Sequence, residues 1–182
     1  MVSAALLQEH NTLLALQLEK ILLAAFDRRQ LGLLAGRHCW SLSVDALVLN
    51  GDGNLVDSAV LACRAALQAA RLPAVSIEEG LEGSEIVLSE DPALARTLQC
   101  ADLPVAVTLG LVSRPGALPT YFIDPTATEE ACTHATLTAA FSPATLSCCY
   151  LQKHGSASVD PSILADMLQV AQGTAQTLLA SL

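Results

Sequence analysis

The apolar positions of this chain change period several times, and each change marks an element. Between residues 4 and 27, Leu7, Leu14, Leu18, Ile21 and Ala25 form one stripe, with Gln8, Asn11, Gln17 and Lys20 largely elsewhere, as in an amphipathic helix. Its polar face is not basic, so it reads as a core or interface helix and not as a membrane anchor. Residues 27–36 form a connection holding a short apolar piece, Leu31 to Leu34. From Cys39 to Leu49 the period falls to two. Trp40, Leu42, Val44, Ala46 and Val48 share one face against Ser41, Ser43 and Asp45, which predicts a half-buried strand. Asn50-Gly51-Asp52-Gly53-Asn54 then supplies residues that tolerate positive φ and hydrogen-bond their own backbone. An alanine-rich helix follows from Leu55, with Ala59, Ala62, Ala66 and Ala70 as a face for close approach. Pro73 disfavours a helical Leu72, so this helix stops near Arg71.

Beyond Pro73, residues 74–78 predict a short strand. Residues 79–91 are a polar excursion with Gly80, Gly83 and five acidic side chains around the run Ile86-Val87-Leu88. Asp91-Pro92 opens a turn or brief helix. Pro104 to Val112 is an apolar strand, expected to pair with Tyr121 to Asp124 across the Pro115-Gly116 loop. Thr126 and Glu129 form a capping box, with Glu130 also in the first turn, and the helix they open is expected to run to about Phe141, before Pro143. Ala144 to Leu151 is a further strand. Asp160-Pro161 caps a last helix carrying Leu164, Met167, Leu168, Ala171, Ala175, Leu178 and Leu182 on one face. These elements predict an α+β fold.

Composition sharpens this picture. The 182 residues suffice for one domain or two small lobes; 52% are hydrophobic, only 3% aromatic, and mean hydropathy is +0.47, so the core is aliphatic and alanine-packed. A charged fraction of 15% falls below the ~25% of average chains, which points to surface covered by partners. Nine Lys and Arg against eighteen Asp and Glu leave a net charge of −9, and Arg28-Arg29 is the only adjacent basic pair. Tight nucleic-acid binding by this chain alone is thereby disfavoured. Six cysteines lack the dense layout of a secreted disulfide scaffold, no basic region precedes the first leucines, and reduced, buried thiols in an intracellular protein are expected. Glu19-Lys20 interrupts the nearest candidate for a membrane span.

Two stretches carry a resemblance. CWSLSVDALVLNGDGNLVDSAVLACRAAL, residues 39–67, with DGNLVD its most specific part, and YFIDPTATEEACTHATLTAAF, residues 121–141, resemble in matching order the RNase PH-like ring subunits of the RNA exosome. Within that family they look most like the lineage without catalytic residues, and the similarity runs from about Leu13 to the C-terminus. The resemblance implies an α+β fold of two RNase PH-like lobes built from βαβ-type layers. Residues 1–79 would be the C-terminal part of a first lobe that looks incomplete, 80–103 a connecting segment and 104–182 the second lobe. It further implies a six-membered ring of RNase PH-like subunits paired by sheet continuation, RNA-binding cap subunits, and RNA reached through the assembled complex. The family processes and degrades RNA 3′ to 5′, ribosomal RNA included, in nucleus, nucleolus and cytoplasm; neither membrane, DNA nor a cofactor is implied. Family members begin with a strand-rich segment ahead of the first helix found here. Its absence would leave the strand at Trp40–Leu49 unpaired or uncovered.

The same resemblance directs attention to phosphorolysis, which needs a hydroxyl and a cation to grip phosphate and an acid for the leaving group. Active relatives carry Asp-x-Gly-Ser-Arg before the alanine-rich helix, and Leu55 and Val56 occupy those Ser and Arg positions. Their catalytic aspartate, in Ala-Asp-x-Pro, is matched by Thr136. No intrinsic exonuclease activity is expected. Asp124, Glu129 and Glu130 are explained by capping without a metal. Cys132-x-His134 with Cys148-Cys149 lacks zinc spacing, and on a continuous helix Cys132 and His134 would point apart. Nothing patterns Cys132, or Cys39 beside His38, as a thiol catalyst, and burial of both is expected. Gly51-Asp52-Gly53 lacks the spacing of a nucleotide loop and reads as a turn. Arg37, Arg64 and Arg71 read first as surface charges, and second as contacts to RNA or to a neighbouring subunit. Alternatives are a protein-interaction module of the same fold without an RNA role, an active phosphorolytic exoribonuclease, and a small-molecule enzyme with a titratable pocket.

Overall fold

The computed structural model describes residues 4–80, 83–114, 116 and 119–182. Glu82, Pro115 and the side chain of Leu7, which the sequence reading used, lie outside the described portion. In chain order the elements are α1 (Ala4–Leu23), β1 (Gly32–Leu34), β2 (His38–Cys39), α2 (Leu55–Ala69), β3 (Arg71–Leu72), β4 (Val75–Gly80), β5 (Gly83–Leu88) and β6 (Arg96–Thr97). The second half adds β7 (Val105–Val112), β8 (Thr120–Ile123), α3 (Ala127–Cys132), β9 (Ala135–Phe141), β10 (Cys148–Gly155) and α4 (Pro161–Ser181).

A four-stranded antiparallel sheet, ordered β10-β9-β7-β8, organises the molecule. In β7 and β9 the register sets Val105 opposite Phe141 and Leu109 opposite Leu137, so alternate residues of both strands share a face. Val105, Val107, Leu109 and Leu111 join Leu137, Ala139 and Phe141 beneath Met167, Ala171 and Ala175 of α4. The opposite face carries smaller residues. Ala106 and Ala140 meet Leu18 and Ile21 of α1 and Ala59 and Val60 of α2, while Thr108 and Thr138 are buried beside them. Helices therefore cover the sheet on both sides, which is why β7 reads as a nearly continuous apolar run. A third cluster, Leu22, Cys63, Leu67, Leu72, Leu98, Cys100 and Leu103, closes the far end of α1 and α2.

Several expectations need correction. The capping box is formed, with Thr126 accepting from the Glu129 N–H and Glu129 reaching back, but the helix it opens ends at Cys132 instead of running to Phe141. Ala135–Phe141 is the central strand β9, flanked by β7 and β10. Alanines favour a helix locally, yet Ala135, Leu137, Ala139 and Phe141 also alternate, and two strand partners outweigh propensity. The orientation of Cys132 against His134 on one continuous helix accordingly does not apply. The strand expected at Ala144–Leu151 lies at Cys148–Gly155, after a turn closed by Leu146 N–H to Ser142 O at 2.8 Å.

On α2 the packed face is Ala59, Val60, Cys63, Arg64 and Leu67; Ala62 and Ala66 of the expected small-residue face are exposed. Thiol burial is also only partial. Cys63 and Cys100 are buried, Cys149 is half-buried, and Cys39, Cys132 and Cys148 are exposed, all six free.

The largest correction concerns the strand expected at Cys39–Leu49. Only His38–Cys39 is paired, to β1, and Trp40 N–H reaches Leu31 O at 2.8 Å. Beyond it no strand among the described residues lies alongside, so residues 41–49 are exposed throughout, Leu47 and Leu49 at 83% and 90%. Leu42, Val44, Ala46 and Val48 still share a side. With Leu14, Leu18 and Leu22 of α1 and Leu67 of α2 they line an open cavity of about 780 Å³. This stretch has a strand's side-chain pattern without the hydrogen-bond partner that makes a strand.

Candidate functional site

The turn before α2 and the turn before α3, 70 residues apart, are bolted together. Asn54 adopts a left-handed conformation (φ 45°, ψ 48°) at the N-cap of α2. Its backbone N–H donates to Glu130 Oε1 at 2.8 Å, and its Nδ2 donates to Asp57 Oδ2 at 2.9 Å and Asp124 Oδ1 at 2.7 Å. Ala127 N–H donates to Asp52 O at 2.9 Å. Gly53, at φ +93°, presses so closely that an added Cβ would lie 2.6 Å from Ala127 N, so only glycine fits there.

Asp57 extends this clasp into the sheet. Its Oδ2 accepts from Thr108 N–H at 2.7 Å and its Oδ1 from the Thr108 hydroxyl at 2.8 Å. Since that hydroxyl has one proton to give, the Thr138 hydroxyl 3.0 Å away is the donor in the next link. Burial pushes the Asp57 carboxyl above its ordinary range and the nearby Asp124 charge adds to this, while the hydrogen bonds from Asn54 and Thr108 pull it back. Glu129 behaves oppositely: the Thr126 backbone N–H and then its hydroxyl hold that carboxyl below its usual range.

Beside the clasp lies a cavity of about 310 Å³. Leu55 and Val56, from the first turn of α2, and Thr136, from the small-residue face of β9, all line it, so the three positions singled out for lost chemistry meet in one place. Asn54, Glu130, Thr108, Thr133, Thr138, Gln17, His10 and His154 complete the polar wall, and among the described residues no Lys or Arg contributes. The amide nitrogens of Gln17 and Gln152 lie 2.9 and 2.7 Å from His154 Nε2, which ties α1 to β10 at the mouth of this cavity. The wall offers hydroxyls, amides, two imidazoles and one carboxylate, but neither an ammonium nor a guanidinium to grip a phosphate.

The three arginines do not converge on this cavity. Arg37 sits exposed in the turn between β1 and β2, and Arg71 is exposed on β3. Arg64 is not a surface charge: it is 8% exposed and its guanidinium donates to the carbonyl of Leu103, so it ties α2 to the start of β7 from inside. Among the described residues no group of three or more His, Cys, Asp or Glu has the geometry to hold a metal. Burial also pushes the Cys63 and Cys100 thiols up, away from the reactive thiolate form.

The chain has counterparts among known proteins. The family model described as "3' exoribonuclease family, domain 1" matches residues 6–73, and domain 2 of the same family matches residues 102–174. The chain belongs to this RNase PH family. Among relatives, "Putative exosome complex exonuclease RRP42" of Dictyostelium discoideum is 35% identical over 148 residues, covering 80% of this chain and 44% of its own length. "Exosome complex component RRP45A" of Arabidopsis thaliana is 34% identical over 155 residues, with 83% and 48% covered. The chain thus spans about half the length of the curated relatives it matches. A solved "Archaeal exosome core" superposes with a TM-score of 0.73 at 28% identity, covering 96% of this chain and 64% of the other. The RNase PH-like α+β fold is thereby established, together with the resemblance to Rrp42-type exosome components. No helix among the described residues is long and apolar enough to cross a membrane.

Proposed function

We propose that this chain is a non-catalytic, structural subunit of an exosome-type ring. One observation carries the reading: Leu55, Val56 and Thr136, the positions that the family resemblance matches to the phosphate grip and the acid of active relatives, line the same cavity, and no Lys or Arg among the described residues lines it. Two aliphatic side chains cannot neutralise phosphate, and a threonine hydroxyl cannot supply the charge or proton of a carboxylate at neutral pH. The net charge of −9 further disfavours RNA binding by the chain alone, so RNA is reached through the assembled complex.

In this reading the partners are other RNase PH-like ring subunits and RNA-binding cap subunits, the boundary between lobes falls within residues 80–103, and the setting is nucleus, nucleolus and cytoplasm. The complex handles 3′-to-5′ processing and decay, ribosomal RNA maturation included. Arg37 and Arg71, both exposed, remain the candidates for contact with RNA or a neighbouring subunit.

The name of the Dictyostelium relative includes "exonuclease", so phosphorolysis is the reading to test against. The chain is co-expressed with a catalytic-type RNase PH-like partner, and the purified material is sized and assayed for phosphate-dependent release of nucleoside diphosphates. An equimolar complex, inactive once the partner's own catalytic carboxylate is removed, is expected. Residual phosphorolysis in that complex would refute the non-catalytic role, and a chain that stays alone would refute the ring.

A further inference from the structure

Asn50 and Gly51 stand exposed between the unpaired stretch and α2, and the Gly51 N–H donates to Asn50 Oδ1 at 2.9 Å. The carboxamide of Asn50 is thus folded over the next peptide nitrogen instead of turned toward solvent. Glycine contributes no side chain to shield that nitrogen. The hydrogen bond keeps the carboxamide beside the nitrogen that attacks its carbon, and closing a five-membered ring between adjacent residues is an intramolecular step that proximity favours.

We propose that Asn50-Gly51 is a spontaneous modification site at which Asn50 deamidates through a cyclic imide. The Gly51 nitrogen bonds to Cγ of Asn50, the Cγ–Nδ2 bond breaks, and the side-chain nitrogen leaves as ammonia with the proton the peptide nitrogen gave up. Water then opens the imide. Attack at Cγ gives aspartate; attack at the Asn50 main-chain carbonyl gives isoaspartate, whose backbone runs through the former side chain and is one methylene longer. Water is the only co-reactant.

The other two asparagines provide an internal comparison. Asn54 is 6% exposed, its Nδ2 is held by Asp57 and Asp124, and Leu55 after it is already helical. Asn11 lies inside α1 before β-branched Thr12. Both are kept from the geometry that Asn50 has. The consequence reaches the clasp: a new carboxylate appears two residues before Asp52, and in the isoaspartyl form the chain lengthens just ahead of the Asp52–Ala127 hydrogen bond.

The test incubates the whole chain across neutral to mildly alkaline pH and follows deamidation by peptide mass. Cleavage after Arg37 and Arg64 places Asn50 and Asn54 in one peptide, where fragment ions separate them. Expected is conversion at Asn50 alone, faster as pH rises, at a rate comparable to that of a synthetic peptide of the same stretch. The product should accept methyl groups from an isoaspartyl carboxyl methyltransferase. Asn50→Gln, which would need a larger ring, should slow it at least about tenfold. Conversion of Asn50 in the folded chain about tenfold slower than in the peptide would overturn the proposal, as would equal conversion at Asn54.

Discussion

Asn54 Nδ2 and Asp124 Oδ1 lie 2.7 Å apart across 70 residues of chain, and the same amide also serves Asp57 at 2.9 Å. One neutral side chain therefore screens two carboxylates from each other. Its own Oδ1 is buried without a partner, so the site is built around the amide's donors. Asn54→Ala should cost about 2–4 kcal/mol in urea unfolding, because both carboxylates lose a donor and the left-handed backbone loses a residue that tolerates it. Asn54→Gly keeps the backbone and loses the donor, so it should recover roughly 1 kcal/mol of that loss. Equal losses in the two variants would mean that the conformation is not strained.

Gly53 and Gly36 make a matched pair. Both have positive φ, +93° and +72°, but a Cβ on Gly53 would strike the backbone of Pro125–Ala127, whereas one on Gly36 meets nothing within 4 Å. Gly36→Ala should cost only about 1–2 kcal/mol, the strain of the left-handed region. Gly53→Ala must also push two turns apart and should lose roughly twice that or more, with the folded fraction read by circular dichroism. A Gly53→Ala chain as stable as Gly36→Ala would show that the clasp yields easily.

What could be read from the sequence and what could not divide along physical lines. The strand β7, the capping box at Thr126 and the helix from Asp160 were legible because each is a local signal: an apolar run, a Thr-x-x-Glu pair, an Asp-Pro cap. Strand β9 was not, since its alanines suit a helix and only the flanking β7 and β10 decide otherwise. In residues 41–49 the alternation was legible and its missing partner was not. Leu55, Val56 and Thr136 were marked by resemblance, but their meeting in one cavity depends on which face of β9 carries Thr136. Asn54, Asp57 and Thr108 were overlooked as a network. The available signal was an acidic residue three positions after a turn asparagine, in a first helical turn that faces the sheet.

Acid titration should separate two carboxylates of opposite sign. Glu129 is held below its usual range, so it contributes stability above the unfolded value near 4.5 that is lost as pH falls toward its folded pKa. Thr126→Ala removes that contribution, and the gap between wild type and variant should close on acidification. Asp57 is raised above 3.8, so its protonation favours the fold: that stability is present below 3.8 and is lost as pH rises through the folded pKa. Asp57→Ala should therefore flatten the part of the pH–stability curve that falls with rising pH just above 3.8. A variant curve parallel to wild type in that window would contradict the assigned direction.

Leu47 and Leu49, 83% and 90% exposed, sit on an extended stretch with free backbone groups, a combination that templates edge-to-edge association. The double substitution Leu47→Lys, Leu49→Lys removes apolar surface that is almost wholly exposed, Leu47 only edging the open cavity beside α1. Thermal stability should change by no more than about 0.5 kcal/mol, while light scattering at high concentration should fall. A marked loss of stability would show that these leucines are covered in solution.

Arg64 offers the sharpest contrast between a buried and a surface role. It lies on the core face of α2 between Val60 and Leu67, and its guanidinium donates to the Leu103 carbonyl, with Cys100 close by. Burial lowers its pKa, which measures the cost of keeping this charge inside. Arg64→Ala loses both the packing of the aliphatic stem and the donor, and should cost about 2–4 kcal/mol. Arg64→Met keeps most of the stem and removes the buried charge, so at least half of that loss should return. In an assembled complex neither variant should alter the salt dependence of RNA binding, because the side chain does not reach the surface. Substituting Arg37 or Arg71, which do, is the comparison: a shift in the salt slope on Arg64→Met alone would place Arg64 on the RNA path and overturn the buried assignment.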